Sequence, residues 1–360
     1  MKTTLTAINT NNHYVYFNDE SYTFLVSHLQ KHNYSKIFIL TDSNTGEHCL
    51  PRFLAHLSTD IPLEIIEIEA GEEHKTLDTC QGVWETLAEL DGDRKSLLIN
   101  LGGGVVTDLG GFVAGCFKRG IDCIHVPTSL LAMVDAAIGG KNGVDLGVIK
   151  NQIGMVYPPV AVLIDTDYLF TLSNQEMRSG LAEMLKHGLI ADVQYWNALN
   201  LMKNTTEDQL DELIHASVAI KTNIVTQDPL ENGIRKALNF GHTLGHAIES
   251  FYMNHPRGHE AIKHGEAVAA GMVLESHISL QFGWLTAEEY KEIKNVILDL
   301  FGKLDILHED LETLQHWMKF DKKNSHGKVR FALLRGIGSV EIDVEAGEHL
   351  IINALTDYNL

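Results

Sequence analysis

Two histidines four residues apart are the strongest indication of chemistry in this chain. His242 and His246 lie in the run Asn-Phe-Gly-His-Thr-Leu-Gly-His, and His264 follows in Lys-His-Gly-Glu. Residues i and i+4 share one face of a helix, so the first two imidazoles can point into one cavity. Metal coordination and proton transfer both need such an arrangement, and the spacing alone leaves the two open.

The metal interpretation needs a third ligand. Catalytic zinc sites usually have three protein ligands and one open position, and two histidines with one carboxylate are a known set. His242 and His264 can supply the imidazoles, and Glu183 in Gly-Leu-Ala-Glu-Met-Leu-Lys offers a carboxylate. Glu183 and Lys186 also share a helix face, so an ordinary surface ion pair is the alternative for them. Spacing alone does not join Glu183 to His242.

A glycine-rich loop marks a second kind of site. The run Gly-Gly-Gly-Val-Val-Thr-Asp at 102–108 follows an apolar, strand-like segment and precedes a helix-like one. Glycines let backbone N–H groups approach a phosphate, and the dipole of the following helix favours its negative charge. The run differs from the Gly-x-Gly-x-x-Gly fingerprint of dinucleotide-binding folds, so a tight turn without a ligand is the alternative.

Polar residues follow two earlier strand-like segments. Asp42 and Asn44 come directly after the first, and Glu72 and Lys75 come shortly after the second. At the carboxyl ends of strands in an α/β sheet, polar groups tend to meet ligand hydroxyls. Each group alone could be a helix cap or part of a solvated loop. Together with the glycine-rich loop, they predict a dinucleotide site.

The elements that position these residues change type along the chain. The first half alternates short β-branched runs with helix-length segments, which predicts a parallel sheet wrapped by helices. Strands are predicted at 36–41, 63–68, 96–101, 123–126 and 160–164. Long amphipathic helices are predicted after them, at 174–190, 208–226, 234–251, 261–282 and 287–300, with a β-hairpin of strands 329–334 and 339–342 before a final helix.

A chain of 360 residues exceeds the size at which one hydrophobic core stops growing, so two domains are expected. We predict an α/β N-terminal domain, a Rossmann-like parallel sheet that binds a dinucleotide, at residues 1–171. A mostly α-helical C-terminal domain that binds metal and substrate is predicted at residues 172–360.

Composition excludes several classes of function. With 28 Lys and Arg against 48 Asp and Glu, the net charge of −20 argues against nucleic-acid binding, which needs cations to neutralise phosphates. No run of about 18 apolar residues predicts a membrane span. The cysteines form no Cys-x-x-Cys pair, so free thiols in a soluble cytoplasmic protein are expected. They are Cys49, Cys80, Cys116 and Cys123.

Several cations lie among small or apolar residues, or at predicted helix ends. In so acidic a chain they could converge on an anionic substrate, because Arg and Lys are the usual binders of carboxylate and phosphate. For each of them, a solvated surface position is the alternative. The candidates are Arg119, Lys141, Lys150, Lys221 and Arg235.

Taken together, these motifs resemble the 3-dehydroquinate synthase family of sugar-phosphate cyclases. The resemblance extends from Asp42 to the Asp-Lys-Lys run at 321–323, and the order of the motifs is more specific than any one of them. It rests on the glycine-rich loop and on Val-Pro-Thr-Ser-Leu-Leu-Ala-Met-Val-Asp at 126–135, Ile-Gly-Gly-Lys at 138–141, Gly-Leu-Ala-Glu at 180–183, the histidine run at 239–246 and His-Gly-Glu-Ala-Val-Ala at 264–269.

The resemblance implies a reaction and its cofactors. A dehydroquinate synthase-like fold would bind NAD, a divalent metal (zinc or cobalt) and 3-deoxy-D-arabino-heptulosonate 7-phosphate. The substrate would be oxidised transiently, lose phosphate, be reduced again and close by aldol addition to 3-dehydroquinate. The protein would be a homodimer, with Arg119 reaching in from a partner subunit.

The resemblance also assigns residues by position. The implied metal ligands are Glu183, His242 and His264. The implied NAD contacts are Asp42, Asn44, Glu72, Lys75, Gly103, Gly104, Val105, Asp108, Thr128, Ser129, Lys150 and Thr171. The implied substrate contacts are Arg119, Asp135, Lys141, Asn151, Lys186, Lys221, Arg235, Asn239, His246 and one of Lys322 and Lys323. The implied catalytic residues are Lys141, Lys186, Glu231, Arg235, Asn239 and His246.

Two departures from the family pattern leave alternatives open. The segment at 247–263 is longer than in many relatives and carries His255 and His259, which compete with His264 as the third ligand. Ser179 stands where some relatives have an asparagine that contacts the cofactor. Another sugar-phosphate cyclase, a metal-dependent polyol dehydrogenase and a non-catalytic carbohydrate-binding protein are the alternative functions.

Overall fold

The structure is a computed structural model that describes residues 5–147, 149–200, 206–253, 262–306, 310–318 and 329–360. It divides into two compact units. The first comprises Met1–Ser173 with Lys221–Thr226, and the second comprises Asn174–Ile220 with Gln227–Leu360. The roles assigned to the predicted domains at 1–171 and 172–360 stay predictions.

A seven-stranded sheet is the centre of the first unit. Its strands are β1 (Ile8–Asn9), β2 (Tyr14–Phe17), β3 (Ile37–Asp42), β4 (Leu63–Ile68), β5 (Leu97–Gly102), β6 (Asp122–Pro127) and, after a hairpin of β7 (Lys141–Leu146) and β8 (Ile149–Val156), β9 (Ala161–Ile164). The order is β1-β2-β9-β6-β5-β3-β4. Only β1 and β2 pair antiparallel, and the other neighbours in this sheet are parallel.

The five predicted strands are confirmed as β3, β4, β5, β6 and β9. All six residues of β5 and the first five of β3 are buried, which is typical of a parallel sheet covered on both faces. The hairpin of β7 and β8 was not predicted, because Lys-Asn-Gly-Val-Asp-Leu in β7 has neither an apolar run nor a regular alternation.

The strand order creates a switch point in the sheet. Along the chain, β3 is followed by β4, which pairs with one edge of β3. The next strand, β5, pairs with the other edge of β3. In open α/β sheets, ligands bind outside the carboxyl ends of the strands at such a point. Here those ends are Asp42 and Gly102, next to the polar residues and the glycine-rich loop.

The helices of the first unit connect these strands. They are α1 (Asp19–Lys31), α2 (Ser43–His48), α3 (Leu50–His56), α4 (Leu77–Glu89) and α5 (Gly104–Cys116), with 3-10 turns at Glu72–His74, Phe117–Arg119 and Thr166–Thr171 and a π-helical turn at Ala132–Ala136. Phe38, Leu98 and Val83 belong to one buried cluster with Val106 and Val113. Burial of that apolar surface fixes α4 and α5 against the sheet.

The second unit is mostly helical. Its helices are α6 (Asn174–Ala191), α7 (Val193–Asn200), α8 (Glu207–Gln227), α9 (His242–Met253), α10 (His264–Gln281), α11 (Ala287–Phe301), α12 (Leu311–Met318) and α13 (Glu348–Asn359). Residues 221–226 of α8 belong to the first unit. The predicted hairpin is present as β10 (Arg330–Leu334) and β11 (Val340–Glu345), which pair antiparallel. No helix in the described ranges is long and apolar enough to cross a membrane.

The predicted continuous helix at 234–251 is wrong. Ile234–Asn239 is a 3-10 turn, Gly241 has a φ of 78°, and α9 begins only at His242. The break is stabilised by the buried carboxylate of Glu275, which accepts hydrogen bonds from the Gly241 amide at 2.7 Å and the Leu244 amide at 3.0 Å. These two donors lie at a helix start, where backbone N–H groups lack helical partners.

The helix predicted at 261–282 begins later than expected. α10 starts at His264, where the Glu266 carboxylate accepts a hydrogen bond from the Lys263 amide at 3.0 Å and so caps the helix. Most of α10 is buried, and its buried residues include the polar Glu275, Ser276 and Ser279. Small residues let α9 approach it, because a Cβ on Gly271 would lie 2.8 Å from the Gly245 amide nitrogen.

Candidate active site

The three predicted metal ligands converge in the second unit. Oε1 of Glu183 lies 3.5 Å from Nε2 of His242 and 3.8 Å from Nε2 of His264. Glu183 is fully buried, and its Oε1 has no hydrogen-bond partner. A buried carboxylate oxygen without a partner is costly, and a cation bound by all three residues would remove that cost. The donor set of one carboxylate and two imidazoles fits a divalent metal.

Each of the two histidines has an acceptor for its other ring nitrogen. Nδ1 of His242 lies 3.1 Å from the Phe240 carbonyl oxygen, and Nδ1 of His264 lies 3.4 Å from Oε2 of Glu249. With the proton on Nδ1, the lone pair of Nε2 is directed at the centre. Sequence reasoning missed Glu249. Its position two helical turns after His242, on the same face of α9, was the available signal.

His246 lies beside the predicted ligands. Its ring centroid is 5.2 Å from that of His242 and 5.9 Å from that of His264. His246, Glu249 and His264 form a second group whose ligand atoms lie close enough to hold an ion. The geometry therefore brings all three histidines into one cluster.

Lys186 is not part of a surface ion pair. It is buried and pairs with Oε2 of Glu183, one turn earlier on α6. A buried ammonium needs such a partner, because removing a charge from water is costly unless an opposite charge compensates it. The pair places a cation directly beside the three-residue centre.

Three further predicted residues lie on the segment before α9. Nδ2 of Asn239 donates to Oε1 of Glu231 at 2.8 Å, and the buried Arg235 donates to the Pro229 carbonyl at 2.8 Å. Glu231 has a φ of 60°, which is unusual for a residue with a side chain. The structure thus joins Glu231 to Asn239 and fixes the guanidinium of Arg235.

Asp228 holds this segment and was not predicted. Its carboxylate accepts hydrogen bonds from the amides of Asn232, Gly233 and Arg235, at 3.0, 2.7 and 3.1 Å. Burial alone would raise the pKa of the Asp228 carboxyl, but these donors and the Arg235 charge outweigh it and hold that pKa below its usual value. An aspartate that precedes an Asn-Gly turn was the sequence signal.

A polar cluster in the first unit contains predicted cofactor residues. Nζ of the buried Lys75 lies 2.7 Å from Oδ2 of Asp108 and 2.7 Å from Oδ1 of Asn151. Lys150 and Glu72 form a longer ion pair of 3.8 Å. Burial alone would lower the pKa of Lys75, but the nearby carboxylates, Asp108 foremost, raise it, so its ammonium stays charged. Asn151, assigned to the substrate by resemblance, belongs here to the cluster of Lys75.

The glycine-rich loop forms the start of a helix. Gly103 is the N-cap of α5, so the first amides of that helix open onto the end of β5. A Cβ on Gly103 would lie 3.4 Å from Oγ of Ser129, and one on Gly104 would lie 3.4 Å from Cβ of Ala136. Both distances are ordinary van der Waals contacts, so Ser129 and Ala136 lie directly beside the helix N-terminus, whose free amides fit the pyrophosphate of a dinucleotide. Val105 lies in the same first turn.

Other predicted residues lie at neighbouring strand ends. Oδ1 of Asp42 accepts a hydrogen bond from the Thr45 amide at 2.8 Å and so caps α2, in whose first turn Asn44 lies. The helix cap that the sequence left as an alternative is therefore present. The Thr128 amide donates to the Gly102 carbonyl at 3.0 Å. Thr171 ends the 3-10 turn after β9.

The remaining predicted substrate residues are distributed along the first unit. Nζ of the buried Lys221 lies 2.5 Å from both Oδ1 and the carbonyl oxygen of Asp135. Lys141 begins β7 and is exposed, and Arg119 is exposed with a φ of 68°. The predictions for His255, His259, Lys322 and Lys323 lie outside the described residues.

Solved structures define the class of this fold. A 2-deoxy-scyllo-inosose synthase complexed with carbaglucose-6-phosphate, NAD+ and Co2+ is 25% identical, with a TM-score of 0.82 over 98% of this chain and 99% of that one. The 2-epi-5-epi-valiolone synthase of Streptomyces hygroscopicus, with NAD+ and Zn2+ bound, is 24% identical, with a TM-score of 0.83 over 99% and 98%. The fold is that of the sugar-phosphate cyclases.

Sequence comparison identifies the family. Models of the N-terminal and C-terminal parts of 3-dehydroquinate synthase match residues 65–179 and 180–324. The 3-dehydroquinate synthase of Parabacteroides distasonis is 42% identical over 331 residues, which are 90% of this chain and 92% of that protein. That of Xanthomonas campestris is 40% identical over 330 residues, 89% of each. The chain belongs to the 3-dehydroquinate synthase family.

A dehydrogenase shares the fold at a greater distance. The glycerol dehydrogenase of Schizosaccharomyces pombe is 14% identical, with a TM-score of 0.66 over 99% of this chain and 91% of that one. Likeness at this level concerns the fold alone. The polyol dehydrogenase alternative is therefore not favoured.

Proposed function

We propose that this chain converts 3-deoxy-D-arabino-heptulosonate 7-phosphate to 3-dehydroquinate and phosphate, as a phosphorus–oxygen lyase of the shikimate pathway. The observation that carries the proposal is the approach of Glu183, His242 and His264 to one point, in a chain of the 3-dehydroquinate synthase family. A lyase that oxidises its substrate transiently needs such a centre and a dinucleotide in one molecule.

The proposed cofactors are NAD and a divalent metal, zinc or cobalt. Cyclases of the same fold have been solved with NAD+ and Co2+ or Zn2+, and the donor set found here suits either ion. When bound, NAD+ supplies reversible hydride transfer, and the metal supplies Lewis-acid polarisation of substrate oxygens. The proposed metal ligands are Oε1 of Glu183 and Nε2 of His242 and His264.

The NAD site is proposed at the switch point of the sheet. The amides at the start of α5 would bind the pyrophosphate, and the charged Lys75 would add a cation while Asp108 and Asn151 hold it in place. Asp42 and Glu72 offer carboxylates for ribose hydroxyls. The full proposed set is Asp42, Asn44, Glu72, Lys75, Gly103, Gly104, Val105, Asp108, Thr128, Ser129, Lys150 and Thr171.

The proposed substrate residues comprise cations and residues that would transfer or position a proton. Lys141, Lys221 and Arg235 would bind the substrate carboxylate, and the ammonium of Lys186, which pairs with Glu183, would bind a substrate oxygen. His246 would accept and return a proton near the phosphate, and such acid–base help is typically worth about 10² to 10⁴ in rate. Glu231 fixes the amide of Asn239 for the same purpose. Asp135, Asn151 and Lys322 complete the proposed set.

The proposal extends to the oligomeric state and the cellular compartment of the protein. A homodimer would allow the exposed Arg119 to reach the substrate of a second copy of the chain. All four cysteines are free thiols, which supports a reducing cytoplasm.

Substrate selectivity tests the proposed function. The purified protein is supplied with NAD, zinc or cobalt, and either the heptulosonate phosphate or glucose 6-phosphate, which lacks the carboxylate. We expect phosphate and 3-dehydroquinate from the first substrate and no phosphate from the second. Equal kcat/KM for the two would assign the chain to another sugar-phosphate cyclase activity.

A further inference from the structure

Glu249 is a buried carboxylate that is not among the residues proposed to bind metal, NAD or substrate. Only 5% of the residue is exposed, and its Oε2 lies 3.4 Å from Nδ1 of His264. We propose that Glu249 is a positioning residue of the metal centre, which holds the His264 ring and strengthens Nε2 as a ligand. This inference rests on the proposed metal site.

The placement of Glu249 on its helix supports this role. His242 is the first residue of α9, and Glu249 lies seven residues later, close to two full turns. Both side chains therefore lie on one face of α9. This helix supplies the ligand His242, and through Glu249 it also orients the ligand His264 of α10. The two helices approach closely at a glycine of α9, because a Cβ on Gly245 would lie 3.1 Å from the Ala267 carbonyl oxygen.

His264 needs such a partner more than the other ligands do. It is the first residue of α10, and 28% of its side chain is exposed, whereas Glu183 is fully buried on α6. A partly exposed imidazole at a helix start has several rotamers available. A hydrogen bond from Nδ1–H to a carboxylate selects the rotamer and the tautomer that direct Nε2 at Glu183.

The two histidine ligands differ in the charge of their acceptors. The carbonyl of Phe240 faces His242, whereas a carboxylate faces His264. A carboxylate acceptor makes an imidazole a more basic ligand than a neutral carbonyl does. Loss of Glu249 should therefore weaken metal binding without removing a ligand.

The test measures metal affinity directly, without substrate. Full-length wild type, Glu249→Gln, Glu249→Ala and His264→Ala are titrated with zinc against a chromophoric chelator, and the visible spectrum of each cobalt form is recorded. Glu292→Gln is the matched control, because Glu292 also accepts a ring N–H, from Trp196 at 2.7 Å. Apo-protein circular dichroism shows that each variant is folded.

We expect Glu249→Ala to weaken zinc binding about 10- to 100-fold while one cobalt still binds with an unchanged ligand number. Glu249→Gln should lose less, because its amide oxygen still accepts the Nδ1 proton, and it tests the proposal if Glu249→Ala does not fold. Glu292→Gln should bind zinc like wild type.

Unchanged affinity in the folded Glu249 variants would overturn the proposal. If the Glu249 variants lost stoichiometric metal, as we expect of His264→Ala, Glu249 would be a metal ligand instead. Neither result depends on phosphate release, which tests the function separately.

Discussion

The backbone amide of Gly265 donates a hydrogen bond to the hydroxyl of Ser179 at 3.0 Å. Ser179 precedes Glu183 by about one turn of α6, and Gly265 directly follows His264 on α10. The pair therefore sets the separation of two proposed metal ligands that come from different helices. It also gives Ser179 a structural role at the position where some relatives have asparagine.

Gly265→Ala should disturb this separation. A Cβ at that position would lie 2.4 Å from Cα of Ser179, so the helices must move apart. We expect a loss of about 1–3 kcal/mol in unfolding free energy from overpacking and at least about tenfold weaker zinc binding. Gly82→Ala is the control. Its Cβ would meet nothing within 4 Å, and it should gain about 0.5–1 kcal/mol in the interior of α4. Chemical denaturation measures the unfolding free energy of each variant, and zinc titration measures its affinity for zinc. Equal zinc affinity in Gly265→Ala and wild type would refute the role of the contact.

His242→Ala and His246→Ala should separate the two histidine roles. We expect His242→Ala to lose stoichiometric zinc, because it removes one of the three proposed ligands. His246→Ala should keep its zinc and lose about 10² to 10⁴ in kcat, the usual contribution of general acid–base catalysis. Metal analysis and steady-state kinetics on the same preparations distinguish them. Loss of zinc from His246→Ala would place that residue among the ligands.

Lys75→Met should weaken NAD binding. The substitution keeps an apolar chain but removes an ammonium that pairs with Asp108 at 2.7 Å. Hydrogen bonds to charged groups contribute about 1.5–3 kcal/mol, which corresponds to roughly 10- to 150-fold in the Kd for NAD. Lys150→Met removes a longer and more exposed pair with Glu72, so its effect should stay below about fivefold. Isothermal titration with NAD measures both, and a larger effect at Lys150 would contradict this ranking.

Acid should destabilise the protein partly through Asp228. Its pKa lies below the value of about 3.9 expected in an unfolded chain, so its contribution is complete above that value and is lost as the pH falls through the folded pKa. Asp228→Asn should have a lower melting temperature at pH 7. The difference from wild type should shrink as the pH falls below about 4. A difference that is constant with pH would show that the amide hydrogen bonds do not depend on the carboxylate charge.

The parallel sheet was predictable because its signal is local. β3 and β5 are runs of buried aliphatic residues, and the glycine-rich loop directly follows β5. The hairpin of β7 and β8 has no such signal. Asn142 in β7 packs instead against a glycine from another part of the chain. The contact is close, since a Cβ on Gly111 would collide with the Asn142 side chain. Asn142 and Gly111 lie far apart in sequence, so no local pattern relates them.

The proposed metal centre was predictable only in part. Helical spacing placed His242 near His246, but the approach of Glu183 to His242 came from the family resemblance, since it depends on packing between α6 and α9. The break at Gly241 depends on Glu275, a residue of another helix. Glu249 was missed for the same kind of reason, because its partner His264 lies beyond the end of α9.

The stoichiometry of NAD distinguishes a cyclase that regenerates its cofactor from a dehydrogenase. The holoprotein is given heptulosonate phosphate in large excess over NAD, and released phosphate is followed together with the absorbance of NADH. We expect many phosphates to be released per NAD, with no net NADH at the end of the reaction. Accumulation of one NADH per substrate consumed, without release of phosphate, would contradict this expectation.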